Sequence, residues 1–171
     1  DLDSIGADDL EAVQSAGVPI ERHPPEKNET DLELALDRAL AAGCRKICIV
    51  AALGGRLDMT LSSVLLLTRP EFRQLDIRLD DGCDEVLAIW DEVRLRGRAG
   101  DRVSLLALDG PAEGVETEDL YYPLAGETLY PDRTRGISNV MLGDSARVRL
   151  LSGTLICVHT RQQSTSEDRE D

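Results

Sequence analysis

A chain of 171 residues with 42 % hydrophobic content is long enough to bury a packed core, as one domain or two small ones. Its 33 acidic against 19 basic residues leave a net charge of −14, which repels nucleic acid and anionic membrane surfaces and removes both from the favoured partners. No stretch approaches the roughly 18 consecutive apolar residues of a membrane span and no signal peptide is visible, so a cytoplasmic location is expected.

Residues 7–16 read as a short helix with Leu10 and Val13 on its inner face and Gly17 as its stop. Val18 to Arg22 reads as a short strand, and Pro24-Pro25 forces an extended connection after it. The next helix carries a Thr30-x-x-Glu33 capping box, an apolar face of Leu32, Ala35, Leu36, Ala39 and Leu40, and a closing Gly43. Lys46 to Leu53 is a continuous apolar run, the pattern of a strand covered on both faces. A third helical pattern follows Gly54-Gly55 and runs through Leu57, Leu61, Val64, Leu65 and Leu67.

From about residue 75 the pattern changes to short alternating strands, expected at 75–80, 84–90, 92–96, 102–108, 115–122, 146–151 and 154–159, with turns such as Asp109-Gly110-Pro111 between them. The change from mixed α and β to β alone predicts an open α/β layer over residues 1–88 and a small antiparallel β-sandwich over 89–160. Residues 161–171 are polar and read as a disordered tail. Cys44, Cys48, Cys83 and Cys157 include no Cys-x-x-Cys pair, and read as reduced, buried thiols. Phe72 and Trp90 read as core aromatics.

Five segments carry chemistry. Asp1 and Asp3 stand one residue apart, a spacing at which hard oxygen ligands can share one Mg²⁺ together with substrate phosphates; the plainer reading is an acidic turn, with Ser4 capping the helix behind it. Asp31, beside Thr30, either stabilises the start of its helix or supplies a third metal ligand, and Lys27 just upstream can neutralise phosphate charge. Gly54-Gly55-Arg56-Leu57-Asp58 joins a strand to a helix: glycines let backbone N–H groups approach phosphate, and Arg56 offers a permanently charged fork. Its plainer reading is a tight turn with Arg56 and Asp58 paired at the surface. In the C-terminal half, Leu120-Tyr121-Tyr122-Pro123-Leu124 and Gly136-Ile137-Ser138-Asn139 stand out, although Tyr121 and Tyr122 would also suit a strand with one ring packed and one exposed.

Together and in this order these segments resemble the thiamine pyrophosphokinase family over residues 1 to about 160. The resemblance implies an open Rossmann-like α/β catalytic lobe, lacking the family's initial strand-helix-strand stretch, followed by the β-sandwich lobe. It implies transfer of pyrophosphate from ATP to the thiamine hydroxyl, with Mg²⁺ held by Asp1, Asp3 and Asp31. Asp1, Asp3, Asp31 and Asp58 would be the catalytic carboxylates. Ser4, Lys27, Asn28, Gly54, Gly55 and Arg56 would bind ATP, and Tyr122, Ser138 and Asn139 would bind thiamine. A homodimer with shared sites is implied as well. The chain departs from the family pattern at Asn28 (usually Asp), Met59 (His), Ser63 (Asn) and Val140 (Glu), and it has Asp119 and Tyr121 where a Gly and a Lys are usual. Two rival readings stay open: a non-catalytic thiamine- or nucleotide-binding relative, and a pyrophosphokinase for another alcohol such as a hydroxymethylpterin.

Overall fold

The structure, a computed structural model, describes residues 5–24 and 26–162. The described residues up to Arg38 and those from Ala39 onward form two compact units, taken here one at a time. In the first, α1 (Ala7–Ser15) ends in a hydrogen-bond pair that fits its sequence: Gly17, at φ +69°, donates to the Gln14 carbonyl and Val18 to that of Val13. This is the crossed closure that a left-handed glycine permits. Residues 18–22 form no strand. Their alternation is too short to hold a ladder without a pairing edge, and Pro19 removes one of the donors.

Helix α2 (Asp31–Ala41) starts as its capping residues dictate, with the Glu33 backbone N–H donating to Thr30 Oγ1 at 3.2 Å. It ends in the same crossed closure, Gly43 to Leu40 and Cys44 to Ala39. Leu36 is its one fully buried residue.

The second unit is a curled sheet. Strand β1 (Lys46–Ile49) runs parallel to β2 (Asp76–Asp80), and the crossover between them is α3 (Leu57–Leu66) with a single 3₁₀ turn at Pro70–Phe72. From there every pairing is antiparallel: β3 (Asp84–Ile89), β4 (Glu92–Arg96), β5 (Arg102–Glu118), β6 (Ala125–Leu129), β7 (Asn139–Val140), β8 (Ser145–Arg149) and β9 (Ser152–Thr160). The path is β1-β2-β3-β9-β5-β8-β4, with β6 and β7 also on β5. The sheet folds over on itself because β5 serves both layers. Its first half pairs with β9, its second half with β8 and β6, and the register shifts between Leu108 and Glu113. Alternate residues of both layers, such as Leu87, Leu105, Val115, Val148 and Leu155, meet in one core.

The strands expected at 102–108 and 115–122 are therefore one strand to Glu118, and the expected turn at 109–111 is its bend. Asp109 at φ +60° and Gly110 at φ +124° make that bend. The boundary expected at residues 88 and 89 falls at the end of β3, inside the continuous sheet. Further sequence expectations are corrected by the structure. The run 46–53 gives a strand only to Ile49, because Ala51, Gly54 and Gly55 all turn to positive φ. Nor is that strand covered on both faces: Lys46 and Cys48 are exposed and Val50 keeps 69 % of its surface. For the same reason the thiols are not uniformly buried. Cys44 and Cys48 are exposed, Cys83 is half-buried, and Cys157 alone lies in the core. Phe72 is fully buried and Trp90 half-buried. Arg161 and Gln162, expected to begin the tail, are held, Arg161 by a double hydrogen bond to Asp80 at 2.8 and 2.7 Å and Gln162 through its backbone N–H to Asp101 Oδ1. Among the described residues no helix is long and apolar enough to cross a membrane.

Candidate functional site

Asp1, Asp3, Ser4 and Pro25 lie outside the described residues. Of the remaining N-terminal candidates, Lys27 is largely buried and forms an ion pair with the carboxylate of Asp31 one helical turn on. That hydrogen bond holds the Asp31 carboxyl below its ordinary range, so Asp31 is ionised at neutral pH. Its side chain is 58 % exposed, and an exposed, ionised carboxylate at a helix start is the hard oxygen donor a Mg²⁺ site uses. Asn28 is exposed beside it. Among the described residues no group of three or more His, Cys, Asp or Glu side chains is arranged to hold a metal ion.

The glycine turn is built as its sequence predicts. Gly54 and Gly55 take φ +82° and +68°, a region that would strain any side chain. Thr60, unremarked in the sequence, ties the turn to the helix by donating from Oγ1 to the Gly54 carbonyl at 3.0 Å. Arg56 stands at the helix start and grips Asp58 twice, Nε to Oδ1 at 3.2 Å and Nη2 to Oδ2 at 2.6 Å. This is the surface pairing that the sequence left open. It lowers the Asp58 carboxyl's pKa and raises that of the Arg56 guanidinium. Both are exposed, so the pair can open to a ligand at small cost. The departures at Met59 and Ser63 are accommodated locally. The Met59 backbone N–H bonds Asp58 Oδ1 at 3.0 Å, a contact any residue supplies, and the buried Ser63 hydroxyl returns to the Met59 carbonyl at 2.8 Å.

The C-terminal segments meet. Tyr121 and Tyr122 lie beyond the end of β5, edge to face with ring centroids 4.8 Å apart, and both are more than half exposed. The alternative of one packed and one exposed ring on a strand is thus corrected, because β5 stops at Glu118 and Asp119 turns to φ +60°. That is the position where the family usually has Gly, so the left-handed geometry is kept without the glycine. Asn139 is buried and spends its amide on the neighbouring chain. Oδ1 accepts from the Tyr122 and Val140 N–H groups at 2.9 Å each, and Nδ2 donates to the Tyr122 carbonyl at 2.7 Å. Ser138 is exposed at φ +57°, and its N–H donates to Ser104 Oγ at 3.0 Å.

A cluster missed in the sequence lies in the core. His159 is fully buried, with Nε2 3.0 Å from Asp101 Oδ2 and Nδ1 3.4 Å from Glu85 Oε2, and Arg78 bonds Glu85 at 2.5 Å. The signal was the alternation Leu155-x-Cys157-x-His159, which puts the imidazole on the inner face where only paired polar groups survive. A cavity of about 660 Å³ lies nearby, between β1–β3 and the edge of β4. None of the motif residues lines it, and Lys46, Asp76, Arg78 and Glu85 on its wall are already ion-paired.

Residues 1–79 match the family model described as thiamin pyrophosphokinase, catalytic domain, and residues 92–155 the one described as thiamin pyrophosphokinase, vitamin B1 binding domain. The thiamine pyrophosphokinase of Bacillus subtilis (strain 168) is 36 % identical over 81 residues, which is 47 % of this chain and 38 % of that protein. In three dimensions the chain is similar to the crystal structure of thiamine pyrophosphokinase from Bacillus subtilis, with a TM-score of 0.84 and 25 % identity over 95 % of this chain and 77 % of that one. The corresponding structure from Geobacillus thermodenitrificans gives 0.79 and 25 % over 96 % and 76 %.

Proposed function

Because this chain belongs to the thiamine pyrophosphokinase family, we propose that it transfers the pyrophosphoryl group of ATP to the primary alcohol of thiamine, giving thiamine diphosphate and AMP. The observation that carries the proposal is the Gly54–Asp58 turn: two left-handed glycines bare the backbone where a strand meets a helix, and Arg56 is displayed beside them in an ion pair that can open.

The thiamine hydroxyl attacks the β-phosphorus in line and AMP departs; no covalent intermediate with the chain is needed. Arg56 binds the phosphates, with the Gly54 and Gly55 backbone, Ser4, Lys27 and Asn28 as further ATP contacts. A phosphate oxygen arriving at Arg56 competes with Asp58 for the fork and frees that carboxylate for the acceptor hydroxyl. Asp58, released from Arg56, then orients the hydroxyl and is the candidate general base, a base being optional when the transition state is loose. Mg²⁺, when bound by Asp1, Asp3 and Asp31, supplies neutralisation of the polyphosphate charge. Tyr122 stacks on the thiamine pyrimidine and Ser138 hydrogen-bonds it.

In this reading residues 1–88 form the catalytic part, with the Rossmann-like arrangement, and residues 89–160 the thiamine-binding part. The chain works as a homodimer whose sites are shared. The exposed thiols Cys44 and Cys48 suit the reducing cytoplasm.

Acceptor choice tests the proposal. AMP release from ATP is followed with thiamine and, in parallel, with a hydroxymethylpterin. Thiamine should support turnover and the pterin none. Release with the pterin alone would move the chain to a different acceptor, and release with neither would make it a non-catalytic binder.

A further inference from the structure

We infer that Asn139 is a positioning residue rather than a thiamine ligand: its amide is a bracket that fixes the Tyr121–Tyr122 corner in the orientation the acceptor meets. The inference rests on the function proposed above for that corner, but the geometry stands without it. Asn139 is 5 % exposed. Both lone-pair directions of Oδ1 are taken, by the N–H groups of Tyr122 and Val140, and one of the two Nδ2 hydrogens goes to the Tyr122 carbonyl. An amide that accepts from the N–H and donates to the C=O of one residue pairs it as a neighbouring strand would. The backbone pairing of this segment reaches the Leu120–Met141 bridge and the Tyr121 N–H, which donates to the Val140 carbonyl at 2.8 Å, and Asn139 continues it at Tyr122.

The bracket is itself fixed. Asn139 pairs with Val103 in the β5–β7 ladder, the Leu105 N–H bonds the Gly136 carbonyl at 2.9 Å, and Arg135 grips Glu127 of β6 through two bonds of 2.9 and 2.8 Å. Ser138, between these anchors, is held at φ +57°, and Asp119, before the tyrosine corner, at φ +60°. Non-glycine residues in that region are strained and persist only where their surroundings impose them. Asp119 stands two residues before Tyr121, and Ser138 directly before the Asn139 that brackets Tyr122. The arrangement places the contact with a flat aromatic ring on Tyr122 and Ser138, and leaves Asn139 acting through them.

A double-substitution cycle on Asn139 and Tyr122 tests this, read in the Kd and KM for thiamine and, as the control, for ATP. Asn139→Ala should raise the thiamine values about tenfold or more, from the loss of a bracket that leaves buried backbone groups unpaired, with ATP values and kcat nearly unchanged. Combined with Tyr122→Ala it should add almost nothing to the loss from Tyr122→Ala alone, because a corner without its ring has nothing left to orient. Fully additive losses would show Asn139 touching thiamine itself and overturn the inference. Equal damage to the ATP values would reduce Asn139 to general stability and overturn it as well. Asn139→Asp guards against a misfolded alanine variant, since it keeps the two accepted bonds and loses only the donation to the Tyr122 carbonyl. Amide hydrogen exchange at Tyr122 and Val140 should stay close to the unsubstituted rate in Asn139→Asp, which keeps both accepted bonds, and should quicken in Asn139→Ala. Unchanged exchange in Asn139→Ala would refute the bracket, even in a chain that binds no thiamine; absence of thiamine binding in the unsubstituted protein would by itself sink the proposed function.

Discussion

Nothing of the His159 ring reaches solvent, yet each of its nitrogens faces a carboxylate, Glu85 on β3 and Asp101 in the turn after β4. Arg78 on β2 and Arg161 after β9 face the same Glu85. The hydrogen bond to Glu85, then that to Asp101, raises the His159 pKa against the opposing effect of burial, while both acids are held below their ordinary values. A raised histidine pKa stabilises the fold below the unfolded value of about 6.5 and loses that contribution as pH rises through the folded value. The two acids act in the opposite sense: their contribution is complete above unfolded values of about 4 and is lost as pH falls through their lowered folded values. The cluster should therefore stabilise most between about pH 4.5 and 6.5. Denaturant unfolding across pH 5 to 9 should show this stability declining on the alkaline side, and His159→Gln should flatten that limb; parallel curves for the two proteins would contradict the assignment. Cysteine reactivity follows the same logic of environment. Burial pushes the Cys157 thiol up to about 12, whereas Cys44 and Cys48 are exposed. Iodoacetamide should label the latter two in the native protein and reach Cys157 only after unfolding, and native labelling of Cys157 would show the core to be open. The sequence indicated chemistry at Arg56 and Asp58 because residue type and spacing suffice there. It did not reveal the His159 cluster, whose members are 58 and 74 positions apart.

Among the elements, β5 shows how local pattern and tertiary pairing diverge. Alternation placed the strands near 76–80, 84–89 and 92–96 because each is short, regular and bounded by turn residues. Asp109-Gly110-Pro111 carries the same turn signature, but in β5 those residues bend one strand from one layer to the other. Only the partners, β9 before the bend and β8 and β6 after it, distinguish a bend from a turn. Strand β6 was missed for a complementary reason. Ala125-Gly126-Glu127-Thr128-Leu129 has little intrinsic strand preference and exists by pairing with β5. Gly136 tests how tightly these pieces are held. It sits at φ +100°, and an added Cβ would lie 2.9 Å from the Leu105 carbonyl oxygen. Gly136→Ala should cost about 1 kcal/mol or more of stability, and through Ser138 and Asn139 it should also raise the thiamine requirement. An unchanged denaturation midpoint would mean that the loop is free to shift and does not hold the corner.

At the scale of the whole molecule, the sequence showed a change of pattern but not how the parts on its two sides join. The change in pattern near residue 75 is real in composition, since the three α-helices among the described residues all lie before it. The sheet nonetheless runs without interruption from β1 to β4, so the two expected layers share strands. Matches to a catalytic and to a vitamin B1 binding domain fall on the two sides of that change. The glycine turn with Arg56 lies in the first match and the bracketed tyrosines in the second. The proposed reaction therefore requires that the β- and γ-phosphoryl groups leave ATP together and arrive on thiamine. The most direct measurement uses ATP isotopically labelled at the β-phosphorus, with thiamine and Mg²⁺, and follows where the label goes. It should appear in thiamine diphosphate, in step with unlabelled AMP. Label recovered in ADP, with thiamine monophosphate as the product, would mean transfer of a single phosphoryl group and would contradict the account.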